Sequence, residues 1–490
     1  MKAHRSDSYK NILKYTSLFG GVQGLNLLFG LVRNKIVSVL LGPAGMGLAS
    51  LMNTAVNFIF QGTNFGISVS GTRQVSEIYE KDDHKQTEHF IRVVRSWSLL
   101  SSLFGLFGCM LVSTLLDKFT FSWGDHRLHF LLLSPAVAMM AITGGEIAIL
   151  KGIRKLRTLA VIQLWNGIIA LAVSPVIYYY FGQSGIVPVI VILAFSSMLL
   201  TIGYSYRLYP PRISLSKTTI SEGWGMIRLG TAFVLGGIMT ACMEMVIRGF
   251  LNVHGDLDTV GLYNAGFMMT VTYSSIVFSA LESEYFPRLS STIGQIQTTN
   301  AHVNRQIEMT LLIITPLLTL LIAFQPLLIP LLFTTEFLPV VSMSQIVLLS
   351  IILRAVYLPI AYLTLAKGDS LPFLLLEAFY NVLVMVLIMV GFKLWGLFGT
   401  GVALAIGNVS DLLVIIVFAK HRYQYKSTTT VRLFLAIFFT IGLISYLITF
   451  VSAPYLYWPL QILLIFLCTG LSWYFLRQRV SMKELFRLKK

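Results

Sequence analysis

The chain has 490 residues, of which 56% are hydrophobic and 12% charged, with a net charge of +16 and a mean hydropathy of +0.76. Soluble domains carry about a quarter of their residues as Asp, Glu, Lys or Arg, so half that share over this length excludes a soluble enzyme and a disordered chain alike. The basic excess is scattered between apolar runs rather than gathered on one domain, which points away from nucleic acid and toward the anionic inner leaflet of a membrane.

From the N-terminus, MKAHRSDSYKNILKYTSLFGG is basic, but its apolar run outlasts a signal-peptide core and offers no small-residue cleavage site, so it is expected to be a retained first span. Apolar stretches of about 20 residues then recur between short polar breaks. They predict fourteen spans: 14–40, 44–68, 92–116, 128–150, 157–181, 184–206, 225–251, 259–285, 306–333, 342–366, 371–393, 396–419, 431–452 and 455–477. Continuous apolarity, without period-two alternation, rules against a β-barrel. The expected fold class is therefore an all-α polytopic membrane protein of about 14 transmembrane helices. The longest breaks, near 69–91 and 286–305, are too small for a folded domain. Cys109, Cys242 and Cys468 sit singly in apolar runs, giving neither a disulfide framework nor a metal site, and no cofactor is expected.

Charge sets the orientation. Of the 37 Lys and Arg residues, Lys118, Arg127 and Lys393 fall in odd-numbered loops, and Arg33, Lys35, Arg228, Arg248 and Arg354 fall within spans. The other 29 lie in the termini and even-numbered loops, which places both ends in the cytoplasm.

Two echoes link the halves. RNKIVSVLLGPAGMGLASLM from Arg33 parallels RGFLNVHGDLDTVGLYNAG from Arg248, each with an Arg 13 or 14 residues before a Gly-Leu pair, Gly47-Leu48 and Gly261-Leu262. AILKGIRKLRTLAVIQLWN likewise parallels TLAKGDSLPFLLLEAFYN, matching Lys151-Gly152 with Lys367-Gly368. Both echoes join odd to even helices on the same side, so they predict two parallel six-helix lobes, 1–222 and 223–424, around a central cavity. Residues 425–490 add a helix pair and a basic cytoplasmic tail.

Polar side chains at membrane depth demand partners or water. On the second span Ser50, Asn53, Asn57, Gln61, Asn64 and Ser68 recur every three or four residues and share one face. Amides and hydroxyls suit the many hydroxyl groups of a sugar, so Asn53, Asn57, Gln61 and Asn64 are candidate glycan contacts; interhelical hydrogen bonding is the plainer alternative. The eighth span has a counterpart in Asn264, Thr272, Ser275, Ser279 and Glu282. Among embedded cations, Arg228 snorkels to the headgroups. Arg33, Lys35 and Arg248, with Arg354 as an addition, are candidates to bind an anionic headgroup such as pyrophosphate. Glu244, one turn before Arg248, offers an intrahelical ion pair as an equal alternative. The embedded carboxylates are Glu146, Glu244, Glu282, Glu377 and Asp411. Glu146, in AITGGEIAIL, or Glu377 is the candidate coupling site for a proton or sodium ion, with plain ion pairing as the competing role. No Walker A, HExxH or GxSxG motif occurs, so transport on an ion gradient, on the membrane potential or downhill is expected instead of catalysis.

The segment LVRNKIVSVLLGPAGMGLASLMNTAVNFIFQGTNFGIS resembles the first two helices of bacterial O-antigen and lipid III flippases, within the multidrug/oligosaccharidyl-lipid/polysaccharide exporter superfamily. ILKGIRKLRTLAVIQ and YLTLAKGDSLPFLLLEAFYN look like the same family's helix 4–5 and 10–11 junctions, and YFPRLS like its helix 8 exit. The resemblance implies a multi-pass inner-membrane protein that flips an undecaprenyl-pyrophosphate-linked oligosaccharide to the periplasmic leaflet. Its partners would be that substrate, membrane lipids and the polysaccharide polymerase machinery. The family's usual twelve helices leave the last two here as an addition, a number found in lipid II flippases. A cation-coupled drug exporter of the same superfamily should instead prefer buried acids facing aromatic walls, and a membrane glycosyltransferase or polymerase would need a large loop of catalytic residues.

Overall fold

The computed structural model describes residues 2–120 and 127–479, and all regular elements among them are helical. Ten stretches are long and apolar enough to cross a membrane. Three of these contain two spans each. Residues 24–63 break at Gly42, whose φ of 63° favours glycine and whose successor Pro43 starts the second span without an amide to leave unpaired. Residues 156–208 turn at the short helix Gly182–Gly185, and residues 370–423 break at Trp395 and Gly396. One further helix, 257–290, runs through a π-helical turn at Met268–Thr272 and is kept less apolar by Asn264, Thr270, Ser275 and Glu282. The described helices thus make fourteen spans, the architecture that hydropathy predicts. The basic tail after Arg479 lies outside the described residues.

The second and third spans depart from their expected boundaries. The second ends at Thr63, where Asn64 Oδ1 accepts the Gly66 amide at 2.7 Å and Gly66 takes φ 70°. A separate helix, Ile67–Tyr79, occupies the expected loop, burying Ile67, Ser70, Gly71 and Val75 and exposing the Arg73–Glu77 pair. Its 13 residues mix apolar and charged side chains at helical spacing, too polar to register as a span. The third span begins at His84, eight residues early, so Arg92 and Arg95, counted above with the loop cations, lie two and three turns inside a helix.

The chain forms two compact units, residues 1–261 with 332–334, and residues 262–331 with 335–490. In the first unit Ile91, Val94, Trp97, Ile149, Leu150, Leu159 and Met226 pack with the 67–79 helix into one core. The seventh span, Lys217–His254, lies against spans one to three in this same unit. One glycine contact brings it that close, and a second seats the start of the next helix. A Cβ on Gly66 would sit 2.8 Å from Gly230 Cα, and one on Gly261, just past the seventh span, would sit 2.7 Å from the Pro43 carbonyl carbon and 3.1 Å from Gly47 N. The glycines paired by the sequence repeat, Gly47 and Gly261, thus meet backbone to backbone. Gly261→Val, which adds bulk where only backbone fits, should lower thermal stability in detergent by about 1–3 kcal/mol; an unchanged melting temperature would show that the contact tolerates side chains.

In the second unit the tenth span, Val340–Ala366, is the most enclosed, with 72% of its most apolar window buried against 17% for residues 370–423. It packs on the eleventh to thirteenth spans, with Gly401 against the Met343 backbone. The last two spans are joined by a reciprocal pair in which Ser445 Oγ donates to Gln461 Oε1 and Gln461 Nε2 donates to the Ser445 carbonyl, each at 2.8 Å. Tyr457 holds the final span to the ninth by donating to the Ala323 carbonyl at 2.7 Å.

Candidate functional site: polar faces at membrane depth

The face of the second span divides into a structural end and an open middle. Gln61 Oε1 accepts from Asn64 Nδ2 at 2.9 Å, and Gln61 also packs where Gly237 of the seventh span leaves room. Gln61 and Asn64 therefore tie off the helix end. Asn53 is exposed and Asn57 half-exposed; Asn53 Nδ2 donates to the Ala49 carbonyl at 2.7 Å. At the other end Arg248 of the seventh span, 6% exposed, donates through Nε to Ser50 Oγ at 2.9 Å and through Nη1 to Glu244 Oε2 at 3.1 Å. Ser50, Asn53 and Asn57 follow one another at three and four residues, so a guanidinium borders a continuous polar strip within a membrane span. The expected Glu244–Arg248 pair is formed, and it lies on the strip.

The other three candidate cations have separate surroundings. Arg33 lies against the Tyr178 hydroxyl of the fifth span. Lys35, two residues on and so on another side of the helix, donates to the carbonyl of Phe333 just beyond the ninth span. Both are half-buried. Arg354 belongs to the second unit.

Glu146 sits in a fully satisfied charge network. Arg95 Nε donates to its Oε1 at 2.8 Å, Ser205 Oγ donates to its Oε2 at 2.5 Å, and both charged side chains are 3% exposed. Arg95 further donates to the Pro210 carbonyl at 2.8 Å and the Tyr209 carbonyl at 3.2 Å and stacks 4.5 Å from the Tyr206 ring centre. The neighbouring glycine explains the approach: a Cβ on Gly145 would meet Ser98 Cβ of the third span at 2.7 Å. The carboxylate of Glu146 thus has an ion-pair partner in Arg95. Sequence reading missed Arg95 because it counted this residue, near the start of the third span, with the loop cations; the run IRVVRSWSLLSS, apolar on both sides of that Arg, was the available signal.

The second unit gathers Arg354, Glu377 and Asp411 from the tenth, eleventh and twelfth spans within electrostatic reach of one another. Tyr357 and Tyr380 share the same charges. The Arg354 guanidinium stands 5.3 Å from the Phe278 ring centre. Tyr357 donates to Asn408 Oδ1 at 2.8 Å, Asn408 Nδ2 donates to Ser350 Oγ at 2.9 Å, and Tyr362 donates to Glu282 Oε2 at 2.6 Å. Two carboxylates beside one guanidinium leave a formal negative charge at membrane depth, a composition able to take up a cation. Asp411 and the tyrosines carry no spacing signal, since they converge only through the packing of separate helices.

The profile of a family described as polysaccharide biosynthesis protein matches residues 12–293. No curated protein matches the chain in sequence. Among solved structures, the lipid II flippase MurJ in an inward closed conformation is similar, with a TM-score of 0.72 and 13% identity over 94% of this chain and 99% of that one. A multidrug resistance MATE family transporter of the MOP superfamily, inward-facing, gives 0.70 and 14% over 81% and 94%. A MOP superfamily transporter from Pyrococcus furiosus gives 0.56 and 13% over 84% and 94%. These likenesses establish the fold.

Proposed function

This chain belongs to the polysaccharide biosynthesis protein family, and from that premise we propose that it is a flippase for an undecaprenyl-pyrophosphate-linked oligosaccharide, an O-antigen or related repeat unit. The observation that carries this reading is the strip Ser50, Asn53 and Asn57 bordered by the buried Arg248. Neutral amides exchange hydrogen bonds with sugar hydroxyls, and a guanidinium attracts a phosphate without committing the site to one glycan. Arg33 and Lys35 are the other proposed headgroup contacts of the first unit, with Gln61 and Asn64 closing the strip, and Arg354 is the proposed headgroup contact of the second. Alternating access moves the glycan while the polyprenyl chain stays in lipid. Residues 1–222 and 223–424 are the proposed repeated lobes, with 425–490 as the appended pair and tail. The proposed location is the bacterial inner membrane with both termini cytoplasmic, beside the polymerase machinery that consumes the flipped unit. Transport, without a chemical step on the sugar, is the activity.

Energy enters through an ion. Glu377 with Asp411 is the proposed coupling site for a proton or sodium ion, and Glu146 is assigned to the Arg95 ion pair. A second reading, a cation-coupled drug exporter, is favoured by one observation: Glu377 and Asp411 lie among Tyr357, Tyr380 and the Arg354–Phe278 contact, acids among aromatic rings.

Deleting the gene in its native host, with any second flippase also removed, separates the readings. Complete lipid-linked repeat units should accumulate and surface polymer disappear when both are quantified by mass spectrometry. An Arg33→Gln/Lys35→Gln copy should reach the membrane at normal level yet fail to restore the polymer. Unchanged lipid-linked pools in the deletion strain would favour the exporter.

A further inference from the structure

Away from the polar faces, four chain segments of the first unit converge on a cavity of about 260 Å³ lined by Tyr79, His84, Ile153, Lys155, Leu208 and Tyr209. Tyr79 ends the amphipathic helix, His84 begins the third span, Lys155 precedes the fifth and Tyr209 follows the sixth. All three connections are even-numbered, the side that holds most of the chain's basic residues.

The lining supplies hydrogen-bond donors and no carboxylate: one ammonium, one imidazole and two phenols. Burial, aided by nearby Tyr79 and Glu88, holds the Tyr209 phenol above its usual range, so it keeps its proton. Lys155 is also the N-cap of the 26-residue helix Leu156–Phe181, and no side chain caps that end. The amides of its first turn are thus unclaimed by side-chain capping, which leaves the partial positive charge of the helix start next in sequence to Lys155. Three of the acids that flank the cavity have partners elsewhere, and the fourth, Asp82, is exposed. Glu80 pairs with Arg154, Glu88 with Arg212, and Asp83 Oδ1 accepts the amides of Lys85 and Gln86 at 3.0 Å, capping the third span.

We propose that this cavity is a binding site for a phosphate ester, the headgroup of an anionic phospholipid, held by Lys155, His84, Tyr79 and Tyr209. It is distinct from the polar strip and does not depend on the flippase reading. Its place at the ends of the third to sixth spans puts it at headgroup depth, where a phosphodiester is the abundant anion. Leu208 and Ile153 supply the apolar wall against which the glycerol backbone rests.

The test uses the full chain in nanodiscs. Phosphatidylglycerol retained after exchange into phosphatidylcholine is counted by native mass spectrometry for the parent, for Lys155→Gln, for Lys155→Gln/His84→Gln and for Arg157→Gln. Arg157 is an exposed cation two residues on that does not line the cavity. Lys155→Gln should weaken retention at least about tenfold, the effect of losing one hydrogen bond between charged groups. The double variant should weaken it further, and Arg157→Gln should retain lipid as the parent does. A parallel arm with glycerol 1-phosphate and phosphatidylcholine alone distinguishes sources: weak or absent binding assigns the site to the lipid, and binding as tight as that of the lipid assigns it to a soluble phosphate ester. Equal losses in Lys155→Gln and Arg157→Gln would reduce the effect to diffuse attraction and overturn the proposal, as would unchanged retention in the double variant.

Discussion

Glu146→Leu, with Arg95 left in place, will lower the stability of the protein by about 3–5 kcal/mol, because it strands a guanidinium that is 3% exposed without its counter-charge. In a thermal-shift series in detergent this corresponds to a fall of roughly 3–5 °C for a chain of this length. The companion Arg95→Met/Glu146→Leu removes both charges and should recover most of the loss, since desolvating an ion pair costs about as much as its attraction returns. The double-mutant cycle isolates the pair. Ser205→Ala, which deletes the 2.5 Å hydrogen bond to Glu146 Oε2 and the 3.3 Å one from Arg95 Nη2 but keeps both charges, should cost about 1–2 kcal/mol. If instead Glu146→Leu melts like the parent and abolishes dependence on an ion gradient, the carboxylate is a coupling group and its pairing with Arg95 is incidental.

The second large effect falls on the second unit. Glu377→Gln/Asp411→Asn should leave downhill movement of substrate intact while removing its concentration against a gradient. One charge moved across 100 mV supplies about 2.3 kcal/mol, which is roughly a 50-fold accumulation. The double variant should lose that factor in vesicles held at an imposed potential. Arg354→Gln supplies the complementary arm: without the guanidinium the two acids repel, and the ion dependence should shift while binding of the substrate headgroup weakens only modestly. Full accumulation by the double variant would place coupling outside this cluster.

Sequence carried the architecture because span length and apolarity are local properties. Fourteen apolar runs and a lopsided distribution of Lys and Arg required no knowledge of packing. Helix 67–79 escaped because an amphipathic segment of 13 residues shows neither a long apolar run nor a break. Arg95 escaped for a related reason: cations near span ends are usually loop residues, and only the packing of the third, fourth and sixth spans makes this one the partner of Glu146 and Ser205. The candidate site was legible in part. Helical spacing identified the strip on the second span and the Glu244–Arg248 pair, both of which depend on residues a turn or two apart. It did not separate Asn53 and Asn57, which remain accessible, from Asn64, whose carbonyl oxygen accepts the Gly66 amide. Clusters drawn from distant helices, such as Arg354 with Glu377 and Asp411, leave no periodic trace. The Gly47–Gly261 contact is an exception, because both residues stand at matching positions of the two echoes in the sequence.

The most direct test is flipping by the purified protein. Proteoliposomes containing a fluorescent undecaprenyl-pyrophosphate oligosaccharide are treated with a membrane-impermeant quencher, and the protected fraction is followed over time. The expected result is that the parent protein makes the protected pool accessible, while protein-free vesicles and the Arg33→Gln/Lys35→Gln variant leave it protected. A protected pool unchanged by active, correctly folded protein, together with gradient-driven efflux of a cationic dye from the same vesicles, would contradict the flippase and establish the exporter.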